Sequence, residues 1–187
     1  MQRKLLIILC LMGGVFISFA QKKKKNKSAQ ATTTTSADTS KVDYKEIGAP
    51  MPVLKMRKIN GTKLTGEFMT NKDIGQKNYV FVMMYNPTCG HCQEETVLLK
   101  KNIHLFNKTS IVLLSDSLMK EYVDFFENTT RVSEVPSIKV GLDYAGFITR
   151  TFVYKALPQI NIYSPERKLV KIFTGDVPID SLKPYIE

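Results

Sequence analysis

The chain has 187 residues, with 27 Lys and Arg against 17 Asp and Glu and a formal charge of +10. This length allows one domain with appendages. A hydrophobic share of 43%, with ten Phe and eight Tyr, excludes a wholly disordered, collagenous or coiled-coil chain, and three cysteines are too few for a disulfide-stapled mini-scaffold.

Residues 1–20 carry +2, all of it on Arg3 and Lys4. An uncharged run of 15 residues follows from Leu5 to Phe19, and Ser18-Phe19-Ala20 puts small residues at the two positions a signal peptidase reads. The run is shorter than the roughly 20 residues that span a bilayer, so residues 1–20 read as a secretory signal peptide cut after Ala20; the competing reading is an uncleaved anchor. Cys10 follows Leu9, where a lipid-bearing cysteine wants a small residue. Residues 21–47 change to Lys, Ser, Thr, Ala and Gln, with Thr32 to Thr35 in a row and only Val42, Tyr44 and Ile47 large and apolar. Such a segment buries too little surface to offset its ordering entropy, and it reads as a disordered linker. It carries another +4, concentrated at Lys22–Lys25 and Lys27, which suits weak association with a membrane surface as well as a plain spacer. Residues 48–187 keep only +4 and have no basic cluster interleaved with aromatics, so nucleic acid is not an expected partner.

Within 48–187, Leu54 and Met56 alternate with Lys55 and Arg57, and Asn60-Gly61 signals a hairpin turn before Thr62 to Phe68. Tyr79 to Tyr85 is a continuous apolar run of strand length, the pattern of a strand buried on both faces. After Asn86-Pro87-Thr88, the residues Cys92, Thr96, Leu99, Ile103 and Phe106 form one stripe of an amphipathic helix. Ile111 to Leu114 predicts a strand. Ser115-Asp116-Ser117 then caps a second helix with Leu118, Tyr122, Phe125 and Phe126 inward. A short strand is expected over Val135–Val140, and a third helix over Asp143–Tyr154 with Tyr144, Ile148 and Phe152 on one side. Strands over Gln159–Tyr163 and Leu169–Phe173 and a terminal helix from Pro178 complete the pattern. Alternating strands and helices predict an α/β sheet.

Cys89-Gly90-His91-Cys92 falls between the buried strand and the first helix. Unpaired N–H groups and the dipole at a helix N-terminus stabilise a thiolate, the attacking species in disulfide chemistry. With the signal peptide removed, these two are the only cysteines. A structural disulfide over so small a loop adds little stability. A zinc site lacks a second cysteine pair, and His104 lies twelve residues along the helix, so no metal is expected. The Pro-x-x-x-Thr/Ser-x-x-Cys signature of peroxidatic cysteines is missing.

The strand, the Asn-Pro-Thr-Cys-Gly-His-Cys segment, the helix and the later Leu157-Pro158 before a strand resemble the thioredoxin superfamily. The resemblance is narrower to its extracytoplasmic TlpA/ResA-like thiol-disulfide oxidoreductases, related to the AhpC/TSA group. It covers residue 48 to the end and implies a thioredoxin-like fold: a central mixed sheet flanked by helices, with an extra N-terminal hairpin and a central insertion around residues 117–150. It implies Cys89 as exposed nucleophile, Cys92 as resolving thiol, Gly90 and His91 as tuning residues, and Pro158 after Leu157 as a cis-proline facing the reactive pair. Two departures stand out. Thr88 replaces the aromatic usual before the first cysteine, and Met83 replaces the acidic residue thioredoxins keep on the central strand. Glu95 matches a Glu common in the narrower group three residues after the second cysteine, and an i, i+3 spacing puts it on the same side of the helix as Cys92, where it could take the resolving thiol's proton. A solvated first-turn carboxylate is the competing reading of Glu95.

The activity so implied is thiol–disulfide exchange with disulfide-bearing proteins in an extracytoplasmic compartment, most naturally the periplasm, without a cofactor and with a membrane thiol electron donor. The family context points to a reductase. The Gly-His dipeptide, that of protein disulfide isomerases, points to an oxidase or isomerase. A binding module without redox activity is the alternative from another class.

Overall fold

The computed structural model describes residues 42–76 and 78–186. The expected signal peptide, the linker to residue 41 and the basic Lys22–Lys27 segment lie outside the described residues. Residues 42–47, assigned above to the linker, form hydrogen-bonded turns, with Lys45 N donating to Asp43 Oδ1 and Ala49 N to Glu46 O. Among the described residues no helix is long and apolar enough to cross a membrane.

Seven strands form one mixed sheet: β1 (Lys55–Asn60), β2 (Lys63–Thr70), β3 (Tyr79–Tyr85), β4 (Thr109–Ser115), β5 (Ile138–Asp143), β6 (Gln159–Tyr163) and β7 (Leu169–Thr174), in the order β2-β1-β5-β4-β3-β6-β7. β3, β4 and β5 run parallel, and the flanking pairs are antiparallel. The helices are α1 (Gly90–Lys101), α2 (Val123–Thr130), α3 (Phe147–Thr151) and α4 (Ile179–Leu182).

β3 shows how an apolar run specifies a central strand. Successive side chains point to opposite faces. Phe81, Met83 and Tyr85 therefore enter a core with Leu99 of α1, Phe126 of α2 and Leu182 of α4, while Val80, Val82 and Met84 enter a second core with Ile148 of α3, Phe152 and Tyr163. β1 and β2 form the expected hairpin, turning at Gly61-Thr62, and a register shift between Arg57 and Ile59 lets Met56 and Ile59 both be buried. β5 packs tightly on β1, and Gly141 makes that approach possible: a Cβ there would meet Met56 Sδ at 2.6 Å and Arg57 O at 3.0 Å.

Segment 117–150 departs from the sequence expectations in three ways. The second helix starts as a 3₁₀ segment, Ser117–Tyr122, before α2. Side chains eclipse every three residues there, which rotates the inward stripe to Val123, Phe126 and Thr130. Leu118 (79%), Tyr122 (47%) and Phe125 (52%) are exposed, not inward. The expected short strand is displaced: β5 covers Ile138–Asp143 and not Val135–Val140. Because β5 runs on to Asp143, and Ala145 and Gly146 both adopt positive φ, the third helix cannot begin there; it starts at Phe147, whose N–H is accepted by Asp143 Oδ1 at 2.8 Å. Ile148 and Phe152 are buried as expected. Tyr144 lies outside the helix, edge-on to Phe68. The α1 helix ends at Lys101 and Ile103–Phe106 is 3₁₀, yet the expected stripe continues inward, with Phe106 buried in the core and Ile103 packed against it.

Candidate active site

The turn after β3 is fastened by its own residues. Asn86 Oδ1 accepts from Thr88 N and Thr88 Oγ1, both at 2.9 Å, and Cys89 N donates to Asn86 O at 3.1 Å. Gln93 Nε2 reaches back to Pro87 O at 2.7 Å. Cys89 is thereby held as the N-cap of α1, with φ −82 and ψ 118, and its Sγ accepts from Cys92 N at 3.4 Å. A cap residue supplies the acceptor that the first helical N–H groups lack. Here that acceptor is a sulfur.

The two free thiols have unlike surroundings. Cys89 is half-buried and Cys92 fully buried. Burial, followed by the adjoining Cys89 sulfur, pushes the Cys92 thiol up to about 12. Gly90 between them has ordinary φ and open space, for a Cβ there would meet nothing within 4 Å.

His91 is exposed, with its Nδ1 3.0 Å from Asp176 Oδ1. One helical turn on, Glu95 is only 3% exposed. Its Oε2 accepts from Val177 N at 3.1 Å, and Oε1 has no partner among the described residues. Burial first, then the charge of Asp176, raise its carboxyl to about 7 against the Val177 N–H, which lowers it. The solvated-carboxylate reading of Glu95 is thus wrong, because the side chain turns inward under the loop after β7. The exposed carboxylate of this turn is Glu94. Glu95 spends its hydrogen bond on that loop and not on a thiol.

Antiparallel pairing sets Gln159 of β6 opposite Met84 of β3, so Leu157-Pro158 lies at the sheet end where β3 delivers the cysteines. The Leu157-Pro158 peptide bond is cis; Pro158 is buried and its carbonyl accepts from Gly175 N at 2.8 Å. Met83 is wholly buried in the core facing α1, which leaves Glu95 as the buried carboxyl of α1. His104 is exposed and belongs to no cluster.

Sequence reasoning missed Asp176 and Val177. The only signal there was a Gly175-Asp176 turn pair, and the contact with His91 spans 85 residues. Among the described residues, the one group of three candidate metal ligands is His91, Glu94 and Asp176, with ligand atoms within 4.8 Å of one another. All three are exposed and Asp176 is engaged by His91, so the group reads as a hydrogen-bonded surface cluster.

No protein-family model matches the chain, and no curated protein matches it. Solved structures do. The thioredoxin domain of a thiol-disulfide oxidoreductase from Bacteroides vulgatus is similar with a TM-score of 0.59 at 18% identity, over 74% of this chain and 94% of that one. StoA from Bacillus subtilis gives 0.57 at 15%, over 73% and 97%. A secreted Mycobacterium tuberculosis disulfide oxidoreductase homologous to E. coli DsbE gives 0.56 at 13%, over 71% and 93%. The fold is thioredoxin-like.

Proposed function

We propose that the protein is a thiol-disulfide oxidoreductase that uses Cys89 and Cys92 to reduce disulfides in extracytoplasmic proteins. The observation that carries the proposal is the asymmetry of the pair: a half-buried sulfur capping a helix N-terminus, and a buried partner whose thiol is held up to about 12. The similar structures support it, since they include thiol-disulfide oxidoreductases, one of them a secreted protein. The leader-like residues 1–20 support an extracytoplasmic, periplasmic site of action, with residues 21–41 as a linker and Lys22–Lys27 available to an anionic surface.

In the proposed reaction the Cys89 thiolate attacks one sulfur of a substrate disulfide, forming a mixed disulfide and expelling the other sulfur as a thiolate. Cys92 then gives up its proton and attacks Cys89 Sγ. The remaining substrate sulfur leaves as a second thiol, and the protein keeps the Cys89–Cys92 disulfide. Two electrons have passed to the substrate, and a membrane thiol donor returns them. At neutral pH Cys92 is a protonated thiol that does not compete with Cys89. Glu95, poised near pH 7, is the group proposed to exchange its proton. Leu157-Pro158 shapes the surface beside the pair.

The Gly90-His91 dipeptide favours a second reading, oxidase or isomerase, because a positive imidazole near Cys89 stabilises the reduced form. The potential of the pair separates the two: about −270 mV is thioredoxin-like, about −180 mV isomerase-like. Reduction of insulin in the presence of dithiothreitol tests the enzyme reading itself. The wild type is expected to accelerate it and Cys89→Ser to abolish the acceleration, whereas an inactive wild type would support the redox-silent binding module.

A further inference from the structure

The tripeptide from Gly175 to Val177 ties together three parts of the site that are remote in the chain. Gly175 N donates to the carbonyl of Pro158, the Asp176 carboxylate meets His91 Nδ1, and Val177 N donates to Glu95. Gly175 adopts φ +76, a conformation that favours glycine, and Val177 is buried. The backbone is therefore pinned on both sides of Asp176, and its carboxylate is aimed at the residue between the two cysteines. His91 is 67% exposed and Asp176 63%; an exposed imidazole without such a partner samples several rotamers.

We propose that Asp176 is a positioning residue that, by holding His91 through Nδ1, raises the reduction potential of the Cys89–Cys92 pair. The inference rests on the thiol–disulfide reading above. A carboxylate on Nδ1 fixes the tautomer and orientation of the ring, so the imidazole is held beside the first turn of α1. Positive charge beside the helix N-terminus favours the Cys89 thiolate, hence the reduced protein. The negative charge of Asp176 alone acts on the thiolate in the opposite sense, so the two routes predict opposite signs. Glu94 is the third charged group of the cluster and is left unchanged in every variant.

The test is the exchange equilibrium of the full chain with glutathione. In it the Cys89–Cys92 dithiol gives two electrons and two protons to glutathione disulfide, forming the protein disulfide and two glutathione thiols. Couplings between exposed charges are small, so Asp176→Asn is expected to shift the constant toward the protein disulfide by about two- to fivefold. That corresponds to a potential lower by about 10–20 mV for a two-electron couple. His91→Ala, which leaves the 175–177 loop intact, is expected to shift it in the same direction, and Asp176→Asn added to His91→Ala to shift it no further. An unchanged or lowered constant for Asp176→Asn, or an equal shift in the His91→Ala background, would overturn the proposal while leaving the redox function standing. A wild type that forms no Cys89–Cys92 disulfide in the buffer overturns the function and this inference together.

Discussion

Glu95 combines near-complete burial with an unpartnered Oε1, and its ionised form is the costly one. Its carboxyl sits at about 7 in the folded protein against an ordinary value of 4.5. The folded state therefore binds the proton more tightly than the unfolded chain, and stability falls as pH rises through the window from 4.5 to about 7, then levels off. A shift of this size is worth on the order of 3 kcal/mol. Glu95→Gln keeps an acceptor for Val177 N–H and removes the charge, so urea denaturation between pH 4 and 8 should lose this slope and the variant should gain stability at pH 8. An unaltered slope would mean that the carboxyl is solvated. Both cysteines were legible at this scale, because a Cys-x-x-Cys after a buried strand has few other uses. The inward turn of Glu95 was legible only as one of two options, since i, i+3 spacing gives a helix face but not what covers it. Asp176 was not legible at all.

The 3₁₀ segment and α2 show what periodicity in a sequence can and cannot give. An apolar stripe over Leu118, Tyr122 and Phe125 has helical spacing, yet it faces outward because the element does not begin as an α-helix. Phe126, in contrast, is 2% exposed with its ring centroid 4.4 Å from that of Tyr85. Phe126→Ala should cost about 3–5 kcal/mol, and Phe125→Ala should stay within about 0.5 kcal/mol, both read by denaturant unfolding. Equal costs would contradict the placement of this element. β3 was the most legible element, since seven apolar residues in a row, of strand length and stopped by Asn86-Pro87, suit a strand covered on both sides. The third helix was misjudged because Ala145 and Gly146 both adopt positive φ, and of the two only Gly146 is a local cue for it.

At the scale of the molecule, the sheet order brings three loops to one end: the turn after β3 with Cys89, the Leu157-Pro158 segment before β6, and Gly175–Val177 after β7. The apolar and polar patterning along the chain announced the layers of this fold. The convergence of the loops depends on strand order, which no local pattern carries. The charge of +10 is also resolved at this scale, because only +4 of it belongs to residues 48–187. The central claim is that Cys89 attacks and Cys92 resolves, and trapping measures it most directly. Tagged Cys92→Ser and Cys89→Ser proteins, incubated with disulfide-bearing extracytoplasmic proteins and separated without reductant, should differ sharply. Cys92→Ser should accumulate mixed disulfides through Cys89 and Cys89→Ser almost none. Equal trapping by the two variants, or trapping by neither, would contradict the assignment.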